Sequence, residues 1–331
     1  MGLEAPIFTA LPMILGSLGI FLTFYFLHKK RPRHLEYVGT VKELYLHPLK
    51  SCRGVTLQEA ECTWLGLRAD GVYDRHYLLC DPSNDNSFVG LCHKHQAANI
   101  TSTINDSDEI LVSAPNMEPL TLHKTCKIDP SKTIMCKLYG EISETMDCGD
   151  AAADWINQAL GTSGLRLVYA AGGMRERVST MFFSEDGGIS TDHDQKYTNQ
   201  FLLPEQSTYN LLSQASLNDL NNRLKQKVSV RNFRPNIVVD GCAPFAEDDW
   251  EEIFINESRF FQFALAERCT MTTVDPDCPE SAHAAKDPLA TLRRYRSKPE
   301  WPAGPVFGVR LGISHLGNIK VGDQVYVKRK S

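Results

Sequence analysis

Apolar and polar residues alternate in short runs along most of this chain, the period of two that predicts half-buried strands. Val38–Leu46 is the first such run and stops at His47-Pro48. Val55–Cys62, Tyr77–Leu79, Ile100–Ile104, Ile110–Val112, Leu120–Leu122 and Ile134–Leu138 follow. The period then lengthens. Ala152, Trp155, Ile156, Ala159 and Leu160 recur at helical spacing, so Ala151–Leu160 is expected to be a helix with Gly161 as its stop. Leu165–Tyr169 returns to strand. The Gly-, polar- and charge-rich stretch 171–200 reads as a long loop between domains. Beyond it, Thr208–Gln214 and Leu217–Leu224, the latter with Ser216 as N-cap, read as short helices. Ile237–Val239, Glu252–Ile255, Arg259–Phe263, Phe307–Leu311 and Val325–Val327 read as strands, and Asn318–Gln324 as a barrel turn. The expected fold is mostly-β α+β. It has a β-rich barrel-like module over 37–170 and a second β-barrel module over 201–329.

One run breaks the pattern. Ile7 to Leu27 carries no charge and is long enough to cross a hydrocarbon core of about 30 Å at about 1.5 Å per residue. A cleaved secretory signal has basic residues before its apolar region. Here Glu4 precedes the run and Lys29, Lys30, Arg31 and Arg33 follow it. Residues 7–27 are therefore expected to be a transmembrane signal anchor, 28–36 a basic linker, and the remainder cytosolic. A short span with a basic C-terminal flank suits the mitochondrial outer membrane, with the endoplasmic reticulum as the alternative.

The 331 residues are 42% hydrophobic and 23% charged, which allows a large core. A formal net charge of −5 gives no reason to expect a nucleic-acid partner. The ten cysteines are scattered and form no CxxC, so free thiols in a reducing compartment are expected. There is no Gly-rich dinucleotide fingerprint and no Walker A sequence.

Candidate chemistry lies in a few strand-end segments. Arg268-Cys269 comes first, followed by Thr270, Thr272 and Thr273. Cysteine is a soft anionic ligand, and an arginine beside it favours the thiolate, although a buried structural thiol is the commoner fate. Arg234 and Asn236 flank Pro235 just before a strand, where a surface loop would serve equally. Lys50 and Ser51 end the first strand and could bind an anion together. Asp74 either orients Arg75 or forms a surface pair of little value. Cys92-His93-Lys94-His95 resembles a zinc fragment but lacks a second ligand pair, and Asp192-His193-Asp194 reads as a solvated loop.

Taken together, His47–Cys52, Asp74-Arg75, Asn232–Asn236, Ala246–Trp250 and Arg268–Asp277 occur in the order found in MOSC-domain proteins, so the chain resembles that family. With the N-terminal span it is similar to the mitochondrial amidoxime reducing components within it. The resemblance covers about residues 37–328. It implies a Mo-molybdopterin cofactor with Cys269 as the protein thiolate on molybdenum. Lys50, Ser51, Arg75, Arg234, Asn236 and Arg268 would hold the pterin and its phosphate, and Gln206 and Ser207 fall where the family also contacts the cofactor. The implied activity is reduction of N-hydroxylated compounds (amidoximes, hydroxylamines). Electrons would come from NADH through cytochrome b5 reductase and cytochrome b5. Cys278-Pro279 stands where the family has Thr-Gly, a departure that bears on the substrate mouth. Two other readings are a persulfide carrier like the C-terminal part of molybdenum-cofactor sulfurases and a membrane scaffold without turnover. The carrier enzymes also need a pyridoxal-phosphate domain, for which this chain has no room.

Overall fold

The end of the first strand joins two barrels. A computed structural model describes residues 35–90, 93–105, 107–124, 128–170, 207–277, 287–298 and 304–330, with Met174 and the pairs 177–178, 182–183, 189–190 and 200–201. The larger barrel is built from β1 (Glu36–Leu46), β2 (Val55–Leu57), β3 (Tyr209–Ser213), β4 (Ile237–Asp240), β5 (Trp250–Ile255), β6 (Ser258–Glu267), β7 (Val306–His315) and β8 (Gln324–Arg329). Their order is β4-β3-β7-β6-β5-β8-β1-β2, and β4 also pairs with β1, which closes the sheet on itself. Closure removes the exposed edges of seven strands. β1 thus precedes the 171–200 segment in sequence yet pairs with β4 and β8, which follow it. Gly39 makes this crossing possible: a Cβ there would lie 2.0 Å from the Asp240 carbonyl oxygen.

The smaller barrel closes through Thr133–Leu138, Glu141–Asp147, Arg166–Tyr169, Tyr77–Asp81 and Ser87–Phe88. Helix α1 (Asp150–Ala159) buries Ala152, Ala153 and Ile156. The chain between Leu46 and Arg53 links the two barrels. Leu49 bridges Tyr77 in parallel, and the Lys50 N–H donates to the Tyr77 carbonyl at 2.7 Å. Residues 47–53 are therefore fastened to both modules. Among the described residues of 171–200, Arg177–Val178 pairs with Gln200–Phe201 and Phe182–Phe183 with Ile189–Ser190.

The main departure from the sequence pattern is Thr208–Gln214. It forms strand β3, not a helix. Tyr209, Leu211, Leu212 and Ser213 are buried between a parallel neighbour, β4, and an antiparallel one, β7. A strand buried on both faces has no alternation to betray it, and a short apolar run of this kind cannot be told from a helix by period. Helix α2 (Gln214–Arg223) then begins three residues before the expected start, because Ser213 and not Ser216 is its N-cap, accepting the Ser216 N–H at 3.1 Å. Ser216 Oγ instead donates to the buried Glu247 carboxylate at 2.7 Å. Val55–Cys62 divides into β2 and a separate strand, Glu59–Thr63, and Asn318–Gln324 contributes to a strand, Gly317–Lys320, before its turn. Residues 7–27, Cys92, Asp192–Asp194, Gln206 and Cys278-Pro279 lie outside the described residues. No helix among the described residues is long and apolar enough to cross a membrane.

Candidate functional site

Three turns that carry cations meet in one cleft between the end of β1 and the start of the segment after β6. The cleft has an empty volume of about 830 Å³, including space open to solvent. Lys50, Ser51, Arg75, Ser207, Arg234, Asn236, Arg268 and Cys269 all line it. Five of its lining residues are basic, with Arg310 as the fifth, and Glu267 is the one acid among them.

The backbone shows how firmly this arrangement is imposed. Ser51, Arg75 and Arg234 all adopt left-handed conformations, with φ of 74°, 56° and 52°. Such a conformation costs a non-glycine residue about 1–3 kcal/mol and persists only where the surroundings over-determine it. Here they do. The Arg75 N–H donates to the His47 carbonyl at 2.7 Å. The Arg75 guanidinium donates to Asp74, to the Arg234 carbonyl at 3.0 Å and to Asn236 Oδ1 at 3.3 Å. Arg234 ends a 3-10 turn, Val230–Phe233, and its Nη1 donates to the Cys52 carbonyl at 2.5 Å. Each turn is thus tied to another through an arginine.

Asp74 is fully buried. Burial pushes its carboxyl up, but Arg75 beside it and bonds from His47 outweigh this and hold it well below the usual carboxylate range. The pair is therefore buried and ionic, not a surface contact. His47 is also buried. Burial, then the repulsion of Arg234 and Arg75, lowers its pKa to about 3, so it is neutral. Arg234 is pushed down to about 10 by burial and by Arg75. These cations repel one another, and backbone carbonyls hold them more than acids do.

Cys269 sits at the opposite wall. It is exposed and N-caps a 3-10 turn, Thr270–Thr273, whose Thr272 N–H donates to the Cys269 carbonyl at 3.2 Å. Arg268, one residue earlier, turns its guanidinium to the Phe307 carbonyl at 2.7 Å, the Phe233 carbonyl at 3.0 Å and Asn210 Oδ1 at 3.2 Å. Gly308, with φ of 79°, leaves room for it: a Cβ there would stand 3.3 Å from Arg268 Nη2 and 2.6 Å from the Leu211 carbonyl oxygen. Asn232 joins the two walls. Its Nδ2 donates to the carbonyls of Thr272 at 3.1 Å and Val274 at 3.2 Å, so the turn before Arg234 is fixed to the turn after Cys269.

Matches to family models cover both modules: the MOSC N-terminal beta barrel domain over residues 38–163 and the MOSC domain over residues 198–326. The chain is 38% identical over 301 residues to mitochondrial amidoxime reducing component 2 of Bos taurus, covering 89% of this chain and 85% of the relative. The chain belongs to this MOSC-domain family of amidoxime reducing components. It is also 35% identical over 308 residues to mitochondrial amidoxime-reducing component 1 of Homo sapiens (90% and 86% covered), and 30% identical over 314 residues to that of Danio rerio (93% and 90% covered).

Ser51 Oγ and Arg234 Nη2 are buried and have no hydrogen-bond partner in the structure. Buried donors without partners cost about 1–3 kcal/mol each, and an anion with several acceptor oxygens would relieve both. A soft sulfur stands in the same cleft. The donor set therefore fits a phosphate-bearing metal pterin. The sequence pointed to all eight of the lining residues named first but not to Asn210, Arg310, Phe88 and Tyr139, and gave Asn232 no role of its own. Asn and aromatic residues at strand ends carry no signal without the partner strand. For Gly308 the one available signal was a glycine inside an apolar strand.

Proposed function

We propose that this chain is a membrane-anchored, Mo-molybdopterin-dependent reductase of N-hydroxylated compounds such as amidoximes and hydroxylamines. One observation carries the reading: a cluster of cations, with buried, orphaned donors on Ser51 and Arg234, opens onto an exposed cysteine in a single cleft. The names of the relatives support the substrate class.

Reduction of an N–OH group to N–H and water consumes two electrons and two protons. When bound, the molybdenum pterin supplies the oxygen abstraction and the electron transfer. The chain supplies retention, orientation and access. Ser51 Oγ and Arg234 Nη2 would donate to the phosphate, with Lys50, Arg75 and Arg268 setting the positive field around it. Each charge-assisted bond contributes roughly 1.5–3 kcal/mol. Asn236 acts mainly through Arg75: its Oδ1 accepts from Arg75 and from the Asn210 N–H at 3.1 Å. Ser207 and Gln206 are assigned to the cofactor on the family resemblance. Cys269, exposed at the cleft, would hold the metal through its sulfur and leave the site open to solvent.

Cytochrome b5 and NADH-cytochrome b5 reductase are the proposed electron donors. The proposed site of action is the mitochondrial outer membrane, with residues 7–27 in the bilayer and the barrels in the cytosol. Analysis of the purified chain for metal and pterin tests the core of this reading, with about one molybdenum per chain expected. Cys269→Ser is expected to retain pterin and fold but to lose benzamidoxime reduction by at least about a hundredfold. Full reduction by Cys269→Ser would remove the thiolate from the mechanism.

A further inference from the structure

Of the cluster's cations, Arg234, Arg268 and Arg310 come from the larger barrel and its loops, Lys50 from the segment that links the barrels and Arg75 from the turn before the smaller barrel's strand Tyr77–Asp81; two aromatic rings of the smaller barrel also reach it. Phe88 lies in the strand Ser87–Phe88, and Tyr139 at the tip of the hairpin between Thr133–Leu138 and Glu141–Asp147. Both line the cleft. Lys50 Nζ stands 5.1 Å from the Phe88 ring centroid and 5.2 Å from that of Tyr139, within the range at which a ring face attracts a cation. The two rings are themselves 5.8 Å apart. Lys50 is only 6% exposed, so its contact with the rings is largely shielded from water.

The position of Tyr139 is costly on local grounds. Leu138 pairs with Glu141, so Tyr139-Gly140 is a two-residue hairpin turn, with φ of 49° and 88°. Such turns favour Asn or Gly at the first position, and a bulky residue there is an outlier. Tyr139 is also 50% exposed, so core burial does not explain it. What the position does achieve is a second aromatic face for Lys50.

We propose that Tyr139 is a positioning residue, which together with Phe88 holds the Lys50 ammonium against the anionic end of the bound cofactor and so slows its loss. The inference rests on the function proposed above. It makes the smaller barrel a retaining lip for the site.

The test uses the full chain in detergent, purified with its cofactor, and follows release of pterin by the fluorescence of its oxidised form. Tyr139→Leu keeps bulk and removes the ring face; Tyr139→Phe keeps the ring. Release about tenfold faster in Tyr139→Leu, with Tyr139→Phe within about twofold of wild type, is the expected result. Phe88→Leu should behave as Tyr139→Leu does. The thermal midpoint of the cofactor-free chain should stay at the wild-type value in all three, a separation that a merely structural lesion would not give. Wild-type release rates in both Leu variants, or equal acceleration in Tyr139→Phe, would overturn the role of the rings. A wild-type chain that holds no molybdenum pterin would instead overturn the proposed function, and this inference with it.

Discussion

The two walls of the cleft are built on opposite principles. On one, Ser51, Arg75 and Arg234 sit in left-handed turns, tied to one another by arginine–carbonyl bonds and anchored on a fully buried aspartate. On the other, Cys269 is exposed on a short 3-10 turn held by bonds within a few residues and by Asn232. The first wall stores repulsion and strain, and only a rigid frame can hold that in the absence of an anion. The second keeps its sulfur open. The cofactor retention and substrate access proposed for the cleft would draw on both.

The comparison can be broken most severely at Asp74. Asp74→Asn leaves Arg75 and Arg234 without a buried counter-charge, and should lower folding stability by about 3–5 kcal/mol, the usual cost of breaking a buried pair. Urea unfolding measures it. An equal loss on substituting exposed Cys269 would erase the distinction between the walls.

Arg234 sharpens it. Arg234→Met removes a desolvated cation that Arg75 repels, but also its bond to the Cys52 carbonyl, so the stability of the cofactor-free chain should change by no more than about 1 kcal/mol in either direction. Cofactor affinity should fall at least about tenfold, from the loss of one charge-assisted bond. Thermal midpoints with and without cofactor, together with pterin titration, separate the two effects. A large loss of stability in the cofactor-free form would show that Arg234 is structural.

A dependence on pH is also expected. His47 and His76 are buried, and burial lowers their pKa values to about 3 and about 4. Both bind a proton more readily in the unfolded chain, whose histidines titrate near 6.5. The unfolded state therefore holds more protons between pH 6.5 and about 4, and stability should fall as pH drops through that window. The slope is at most about 1.4 kcal/mol per unit for each histidine. His47→Gln should flatten the curve by about half. An unchanged slope would mean that the wall around His47 is wetter than its burial indicates.

Much of this site was legible from the chain. Lys50-Ser51, Arg75, Arg234, Asn236 and Arg268-Cys269 stood at strand ends, in an order resembling a known family, and the fold brings them to one cleft. Their relations were not legible. Nothing in the sequence shows that Asp74 is buried, that Arg234 offers its carbonyl to Arg75, or that Asn232 spans both walls. The β3 segment was misread for a related reason: its pattern is set by neighbours on both faces, not by its own alternation.

The sequence by itself determined the strand-rich architecture, the family and the residue types available for chemistry. Those follow from period, composition and motif order, which are local properties of the chain. Tertiary structure alone decided that β1 closes the barrel formed by the second half, that the cations crowd into one cleft, and that an aromatic lip from the smaller barrel faces Lys50. Coulomb repulsion, burial and ring–cation contact depend on distances through space, and residues some 180 positions apart in the chain acquire those only when the sheets close.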